Sequence, residues 1–179
     1  MKERITRTKN QEHPKIQPSE IGVLLVIVAV AELVLQRLLP VGLQPDLSLI
    51  VILYVGWNSF AFKGALTGSI FGLVRDNLLG VYLGLNGLSK TLLGFSMSYL
   101  NRWIAYEGKL MRPALLALLA FLDRMIIFGV LAMLGEKQPD SILIYALSEA
   151  LVTGAVGEVF FRFYDRIKLP PKNFRRLSS

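Results

Sequence analysis

The hydrophobic positions of this 179-residue chain fall into six long runs, and most of its charged residues lie between these runs or near the two ends. The runs extend over about residues 21–39, 46–62, 64–79, 85–103, 113–134 and 141–161. A run of roughly 20 mostly apolar residues has the length that an α-helix needs to cross a bilayer. The pattern therefore predicts an all-α, polytopic membrane protein with six transmembrane helices.

Polar and turn-forming residues separate and flank these runs. Residues 1–20 are polar and rich in Lys, Arg and Gln, which predicts a disordered tail, and residues 163–179 form a second basic tail. Linkers such as 40–45 and 135–139 contain Gly and Pro, which favour turns. The predicted organisation is a tail over 1–20, a single six-helix transmembrane domain over 21–162 and a tail over 163–179.

The basic residues are distributed unevenly between alternate loops. If both termini lie in the cytoplasm, the outer segments contain only Arg37 and Lys137, whereas the tails and inner segments contain most of the other Lys and Arg residues. Cytoplasmic loops of membrane proteins carry such an excess. The pattern predicts cytoplasmic N- and C-termini, and it accounts for the net charge of +7 by topology and anionic lipid rather than by nucleic acid.

Several ionisable residues fall inside the predicted spans. They are Glu32, Arg75, Asp76, Lys90, Asp123, Arg124 and Glu149. Each costs roughly 2.5 to 3.5 kcal/mol at the centre of a transmembrane helix, so we expect an interior polar network rather than lipid-facing charges. We expect Asp76 to pair with a base on a neighbouring helix, and Lys90 to lie shallower and to snorkel towards the surface. The network could line a substrate or proton path, dock a polar residue of a partner helix, or only fix helix packing.

A ladder of glycines marks the third run. Its members are spaced by four residues or a multiple of four, with Asp76 at the missing step: Gly64, Gly68, Gly72, Gly80 and Gly84. Residues at i and i+4 share one helix face, and small residues there let two helices approach closely. The ladder predicts close packing inside the bundle or a docking face for a partner helix. Gly80 and Gly84 could instead form the outer turn.

Catalytic and metal chemistry find little support in the sequence. The chain has no cysteine, and its single histidine, His13, lies in the N-terminal tail. These facts exclude thiolate metal sites and thiol nucleophiles and leave no basis for a Ser/His/Asp triad. No phosphate-binding glycine loop is present either. We therefore expect neither enzymatic activity nor a cofactor or metal.

The middle of the chain carries an ordered set of short motifs. Pro45-Asp46-Leu47 opens the second run, Gly64-Ala65-Leu66-Thr67-Gly68 follows, and Gly72-Leu73-Val74-Arg75-Asp76 continues to Gly80 and to Leu83-Gly84-Leu85. In order and spacing these residues resemble the bacterial rod shape-determining protein MreD family, over about 45–99. The candidate family-motif and helix-packing residues are Pro45, Asp46, Gly64, Gly68, Gly72, Asp76, Gly80 and Gly84.

This resemblance implies a non-enzymatic scaffold of the cell-elongation and peptidoglycan-synthesis machinery in the bacterial inner membrane. It implies binding of the transmembrane helix of MreC, within a complex that includes MreB, RodA and a class B penicillin-binding transpeptidase, and contact with membrane lipid. The family is similar in fold to the substrate-binding subunits of energy-coupling-factor transporters. A subunit of such a small-molecule transporter is the alternative, and it would need a polar ligand pocket open to the outside.

Overall fold

The computed structural model describes residues 18–40, 42–79, 82–103, 111–137 and 141–168. These residues form α-helices and no strand: α1 (Pro18–Leu38), α2 (Leu47–Asn58), α3 (Ala61–Leu79), α4 (Leu85–Trp103), α5 (Met111–Met133) and α6 (Ile142–Lys168). By length and composition, the segments Ser19–Leu38, Met111–Met133 and Ile142–Ile167 are able to cross a membrane. Most of both predicted tails, including His13, and Gly80 lie outside the described residues.

Helix α2 is the hub of the fold. Every residue from Ser48 to Trp57 is buried, because the helix is apolar on all sides and is enclosed by the other helices. It begins after Asp46, whose Oδ1 accepts a hydrogen bond from the N–H of Leu49 at 2.8 Å. It ends at Asn58 because Ser59 is extended, with φ −137° and ψ 173°.

The predicted extent of the second span, 46–62, was therefore wrong. Helix α2 has 12 residues and measures about 18 Å at 1.5 Å per residue, whereas the hydrocarbon core of a bilayer is about 30 Å thick. Phe62, predicted to end this span, already belongs to α3. Helix α6 has 27 residues and continues past 161, where Tyr164 packs on Tyr54 of α2 with ring centroids 4.9 Å apart.

The other five helices surround α2 in an open ring. Helix α1 packs on α2 and α3, α3 packs on α4, α4 on α5, and α5 on α6. Within the described residues α1 and α6 do not pack against each other, so the ring has one gap, called the seam below. Helix α1 is the most peripheral helix, and large apolar side chains along it, such as Val26 and Ile27, are exposed.

Three glycines of the ladder, Gly64, Gly68 and Gly72, pack against α4. A Cβ at Gly64 would lie 2.4 Å from the carbonyl oxygen of Gly94, and one at Gly68 would lie 2.2 Å from that of Lys90. A Cβ at Gly72 would meet the carbonyl oxygen of Asn86 at 2.6 Å. Since α4 occupies this face of α3, Gly64, Gly68 and Gly72 serve packing inside the bundle rather than docking of a partner helix.

Two further glycine positions have local roles. Gly84 adopts φ +94° in the turn before α4, a conformation that glycine adopts without steric cost. On α6, a Cβ at Gly154 would lie 2.9 Å from the Cβ of Ala117 on α5. Gly154 therefore lets α5 and α6 pack closely together.

Candidate functional site: a buried ion-pair layer

Asp46 is the centre of a buried cluster of charges. The Nζ of Lys90, on α4, lies 2.7 Å from its Oδ2, and Arg75, on α3, forms an ion pair with the same oxygen. Arg124, on α5, approaches Oδ2 to 3.8 Å. Three bases from three helices thus converge on one carboxylate that is 2% exposed.

Three more acids complete the cluster. Asp123 lies 3.2 Å from the Nζ of Lys90, Glu32 lies 3.6 Å from Arg75, and Glu149 pairs with Arg124. The cluster, called the ion-pair layer below, consists of Glu32, Asp46, Arg75, Lys90, Asp123, Arg124 and Glu149. Each of the six helices either contributes a charged residue to it or, in the case of α2, is capped by one.

Neutral polar groups support these charges. The backbone N–H of Ser48 donates to Glu32 Oε1 at 2.8 Å, and its hydroxyl accepts from Arg75 at 3.2 Å. The hydroxyl of Ser89 donates to Asp123 at 2.6 Å, and the backbone N–H of Asp46 donates to Thr153 Oγ1 at 3.1 Å. Such hydrogen bonds offset part of the desolvation penalty of buried ion pairs.

Six of the seven ionisable residues singled out in the spans lie in this layer, and Asp46 is the addition. Sequence reasoning noted Asp46 only as part of a family motif, and it missed the contributions of Ser48, Ser89 and Thr153. An acid followed by an apolar run, as in Asp46-Leu47, is an ordinary helix N-cap pattern. The position of its second oxygen depends on helices far away in the sequence.

Asp76 has a different role from the predicted one. Its carboxylate accepts hydrogen bonds from the N–H groups of Gly84, Asn86 and Gly87 at 2.9 to 3.1 Å, and from the side-chain amide of Asn86 at 2.8 Å. Among the described residues it forms no ion pair, so the predicted pairing with a base was wrong. An anion is stabilised at a helix N-terminus by free N–H groups and the helix dipole, and Asp76 provides this anion for α4.

Lys90 also departs from the prediction. Its side chain has 0% exposure, and its ammonium points inward to Asp46 and Asp123 instead of snorkelling to a surface. Two carboxylates at hydrogen-bond distance stabilise the charge better than a partial approach to the headgroups would. Lys90 is therefore an internal counter-ion of the layer.

The layer lies towards one end of the bundle. Lys90 is five residues, roughly 8 Å, from the start of α4, and Glu149 is seven residues, roughly 11 Å, from the start of α6. Loop charges predict that this end is outside the cytoplasm, and it is called the outer end. Below the layer, α2 is apolar from Leu49 to Val55, apart from Tyr54, and each of these residues is at most 2% exposed. The polar groups thus form a plane across the bundle.

A smaller polar cluster lies at the opposite, inner end. Asp165 accepts a hydrogen bond from the hydroxyl of Tyr54 at 3.0 Å and pairs with Arg112 at 3.2 Å. The guanidinium of Arg112 also lies over the ring of Trp57, 5.8 Å from its centroid, a cation–π geometry. This cluster joins α2, α5 and α6.

The charged groups of the layer pair with one another. Its carboxylates face bases, and in the described part of the chain no group of three or more His, Cys, Asp or Glu side chains is arranged to hold a metal ion. Removing one partner of a buried pair leaves an uncompensated charge and is costly. The arrangement can therefore hold six helices in one fixed relationship.

Comparison with known proteins gives a family match. The family model described as rod shape-determining protein MreD matches residues 16–163 of the chain. No curated protein and no solved structure matches it.

Proposed function

The chain belongs to the rod shape-determining protein MreD family, and we propose that it is a non-enzymatic scaffold of the bacterial cell-elongation machinery. Membership gives it a role in rod shape determination. Within that role, it binds the transmembrane helix of MreC and belongs to the complex of MreB, RodA and a class B transpeptidase that directs peptidoglycan synthesis. Lipid surrounds it in the inner membrane.

The proposed topology has six spans and two cytoplasmic basic tails around a transmembrane domain over 21–162. Helix α2 is too short to cross a bilayer alone, but it is enclosed by protein on all sides. Backbone at membrane depth is tolerated where protein covers it. The chain can therefore cross at α2 and the break at Ser59 without exposing polar backbone to lipid.

The ion-pair layer is the observation that carries the scaffold proposal. Its charges are paired with one another across helices that are distant in sequence, as in the contact between Lys90 and Asp46, 44 residues apart. Buried pairs of this kind fix the register between helices, as single buried polar residues do in coiled coils. A rigid bundle with an apolar exterior is suited to holding partner helices.

The transporter alternative gains less support from the same geometry. A path across the membrane needs polar groups along its length, but the layer spreads across the bundle, and the apolar stretch from Leu49 to Leu53 of α2 lies beneath it. A ligand pocket needs polar groups that converge on open space, whereas the carboxylate of Asp46 is occupied by Arg75 and Lys90.

Co-purification tests the proposal. The tagged chain is co-expressed with MreC of the same organism and extracted in several mild detergents, with an unrelated single-span protein as the control. We expect MreC, but not the control, to be retained. If MreC is lost in every detergent, the scaffold proposal fails, and mass spectrometry of the purified chain for a bound small molecule then tests the transporter alternative.

A further inference from the structure

The seam between α1 and α6 is the gap in the ring around α2. One wall is an apolar face of α1 formed by Leu24, Ile27, Ala31 and Val34, which share a face by their helical spacing. Ile27 and Val34 are 57% and 51% exposed. At the inner end the seam widens into a cleft of about 390 Å³ lined by Ser19, Glu20, Val23, Leu24, Tyr164 and Ile167.

The outer end of the seam is closed by the segment that joins α1 to α2. Gly42 of this segment packs directly on α6, since a Cβ at Gly42 would lie 2.9 Å from Ser148 Oγ and 3.1 Å from the ring of Tyr145. The segment therefore covers the seam at Tyr145 and Ser148, on the outer side of Glu149, and the seam is open towards the inner end.

Glu149 brings the ion-pair layer to this groove. It precedes Ile167, which lines the cleft, by 18 residues, or five helical turns at 3.6 residues each, so the two share one face of α6. Its side chain is 15% exposed. Oε1 accepts a hydrogen bond from Arg124, whereas in the described part of the chain Oε2 has no hydrogen-bond partner and is not fully enclosed.

The charges of the layer do not cancel. The layer contains four carboxylates (Glu32, Asp46, Asp123 and Glu149) and three bases (Arg75, Lys90 and Arg124), a difference of one negative charge. An uncompensated charge at membrane depth is costly. Within the layer, Asp46 and Asp123 are the most enclosed acids, whereas the side chain of Glu149 is 15% exposed and lies on the face of α6 that carries Ile167.

We propose that the seam is the seat of a single membrane-spanning partner helix that places a basic residue against Glu149. The apolar walls would pack against the body of this helix, which is about 10 Å across. The lysine or arginine would supply the missing positive charge and donate to Oε2, an interhelical polar contact of the kind that joins membrane helices. That this helix belongs to MreC rests on the proposed function.

Site-specific photo-crosslinking tests this inference. A photoreactive amino acid is placed at Ile27, which faces the seam, and in a matched variant at Val26, which is 61% exposed and points about 100° away on the same helix. Each variant is co-expressed with MreC in membranes. We expect the MreC crosslink from Ile27 and little from Val26.

The other results separate this inference from the proposed function. If MreC co-purifies but crosslinks equally from both positions, or only from Leu151, which is 63% exposed and points about 160° away from Glu149 on α6, the seam is not its seat and the scaffold proposal stands. A crosslink from Ile27 only to lipid or to a second copy of the chain also overturns the inference. If MreC does not co-purify at all, both proposals fail.

The charge contact has its own test. We expect Glu149→Gln to reduce recovery of MreC roughly threefold to tenfold, the effect of losing one interhelical polar contact, while the Ile27 crosslink persists at lower yield. A charge reversal, Glu149→Lys, should abolish the recovery of MreC. Replacing the basic residue of the partner helix by an acidic one should restore that recovery in the Glu149→Lys variant. Unchanged recovery in both variants would overturn the assignment of Glu149.

Discussion

The ammonium nitrogen of Lys90 lies 2.7 Å from Oδ2 of Asp46, and neither side chain is more than 3% exposed. This contact joins the start of α4 to the start of α2, the central helix. Because Lys90 also reaches Asp123 on α5, one side chain connects three helices. The pair is therefore the most informative place to test whether the ion-pair layer holds the bundle together.

Lys90→Met should destabilise the protein strongly. It leaves two buried carboxylates without their shared base, and breaking a buried pair in this way costs about 3 to 5 kcal/mol. The loss of stability is measured by thermal unfolding in detergent, with the folded fraction monitored by size-exclusion chromatography. The control is Lys63→Met on the exposed surface of α3. Equal melting temperatures for the two variants would show that the layer does not support the fold.

The effects of substituting Asp46 and Lys90 on stability should also be non-additive. In the double variant of Asp46→Asn and Lys90→Met the loss of stability should be smaller than the sum of the two single losses, because residues in one network share their interaction energy. A double-mutant cycle from the same unfolding measurements gives this value. Strict additivity would mean that the two charges act independently in spite of their contact.

Two glycine substitutions should change the stability of the protein in opposite directions. Gly68→Ala places a Cβ 2.2 Å from the carbonyl oxygen of Lys90, so α3 and α4 must move apart, at a cost of about 1 to 3 kcal/mol. Gly129→Ala on α5 meets nothing within 4 Å, and alanine favours a helix by up to about 1 kcal/mol over glycine. Comparing the two melting temperatures checks this. Stabilisation by Gly68→Ala would contradict the close packing of α3 on α4.

Asp76→Asn should destabilise the outer turn before α4. The carboxylate accepts from three backbone N–H groups and from Asn86, and an amide offers one acceptor oxygen in place of two. We expect a loss of about 1 to 3 kcal/mol, the cost of leaving buried donors unpaired. Asn77→Ala, at an exposed position, is the control. If Asp76→Asn unfolds at the wild-type temperature, the capping role is wrong.

Tyr82 should titrate above an ordinary tyrosine. Its hydroxyl donates a 2.6 Å hydrogen bond to Glu136 on the outer side, and this bond raises the pKa of Tyr82 from its ordinary value of 10.0. Since the folded-state pKa is raised, any stabilisation is present below pH 10 and is lost as the pH rises through the folded-state value. Ultraviolet titration, with Tyr82→Phe to assign the signal, should show that Glu136→Gln lowers this pKa.

The approximate positions of the helices followed from hydrophobic run lengths, and the two largest departures have physical causes. The predicted second span was too long because the residues from Ser59 to Phe62 look apolar enough to continue helix α2. The helix itself ends at Asn58 because the backbone is extended at Ser59. Helix α6 continued to Lys168 because Phe161 and Tyr164 pack on Tyr54. Neither a local break nor a distant aromatic contact is visible in a count of apolar residues.

The candidate site could be listed from the sequence but not assembled from it. The cost of charge in a membrane predicts that Glu32, Arg124 and Glu149 avoid lipid, and they do lie within or at the edge of the bundle. It does not say which charge meets which. The exchange of roles between Asp76, expected to pair with a base, and Asp46, expected only to belong to a motif, shows this limit.

By itself, the sequence determined the helical class, the approximate helix positions, the family and the set of charges that must be sheltered, because these depend on local composition and on the free energy of transfer into a membrane. Tertiary structure alone decided that α2 is the hub, that Gly68 faces Lys90, that Asp46 collects three bases and that the ring is open between α1 and α6. These features depend on contacts between residues far apart in the chain, whose geometry is set only when the helices pack.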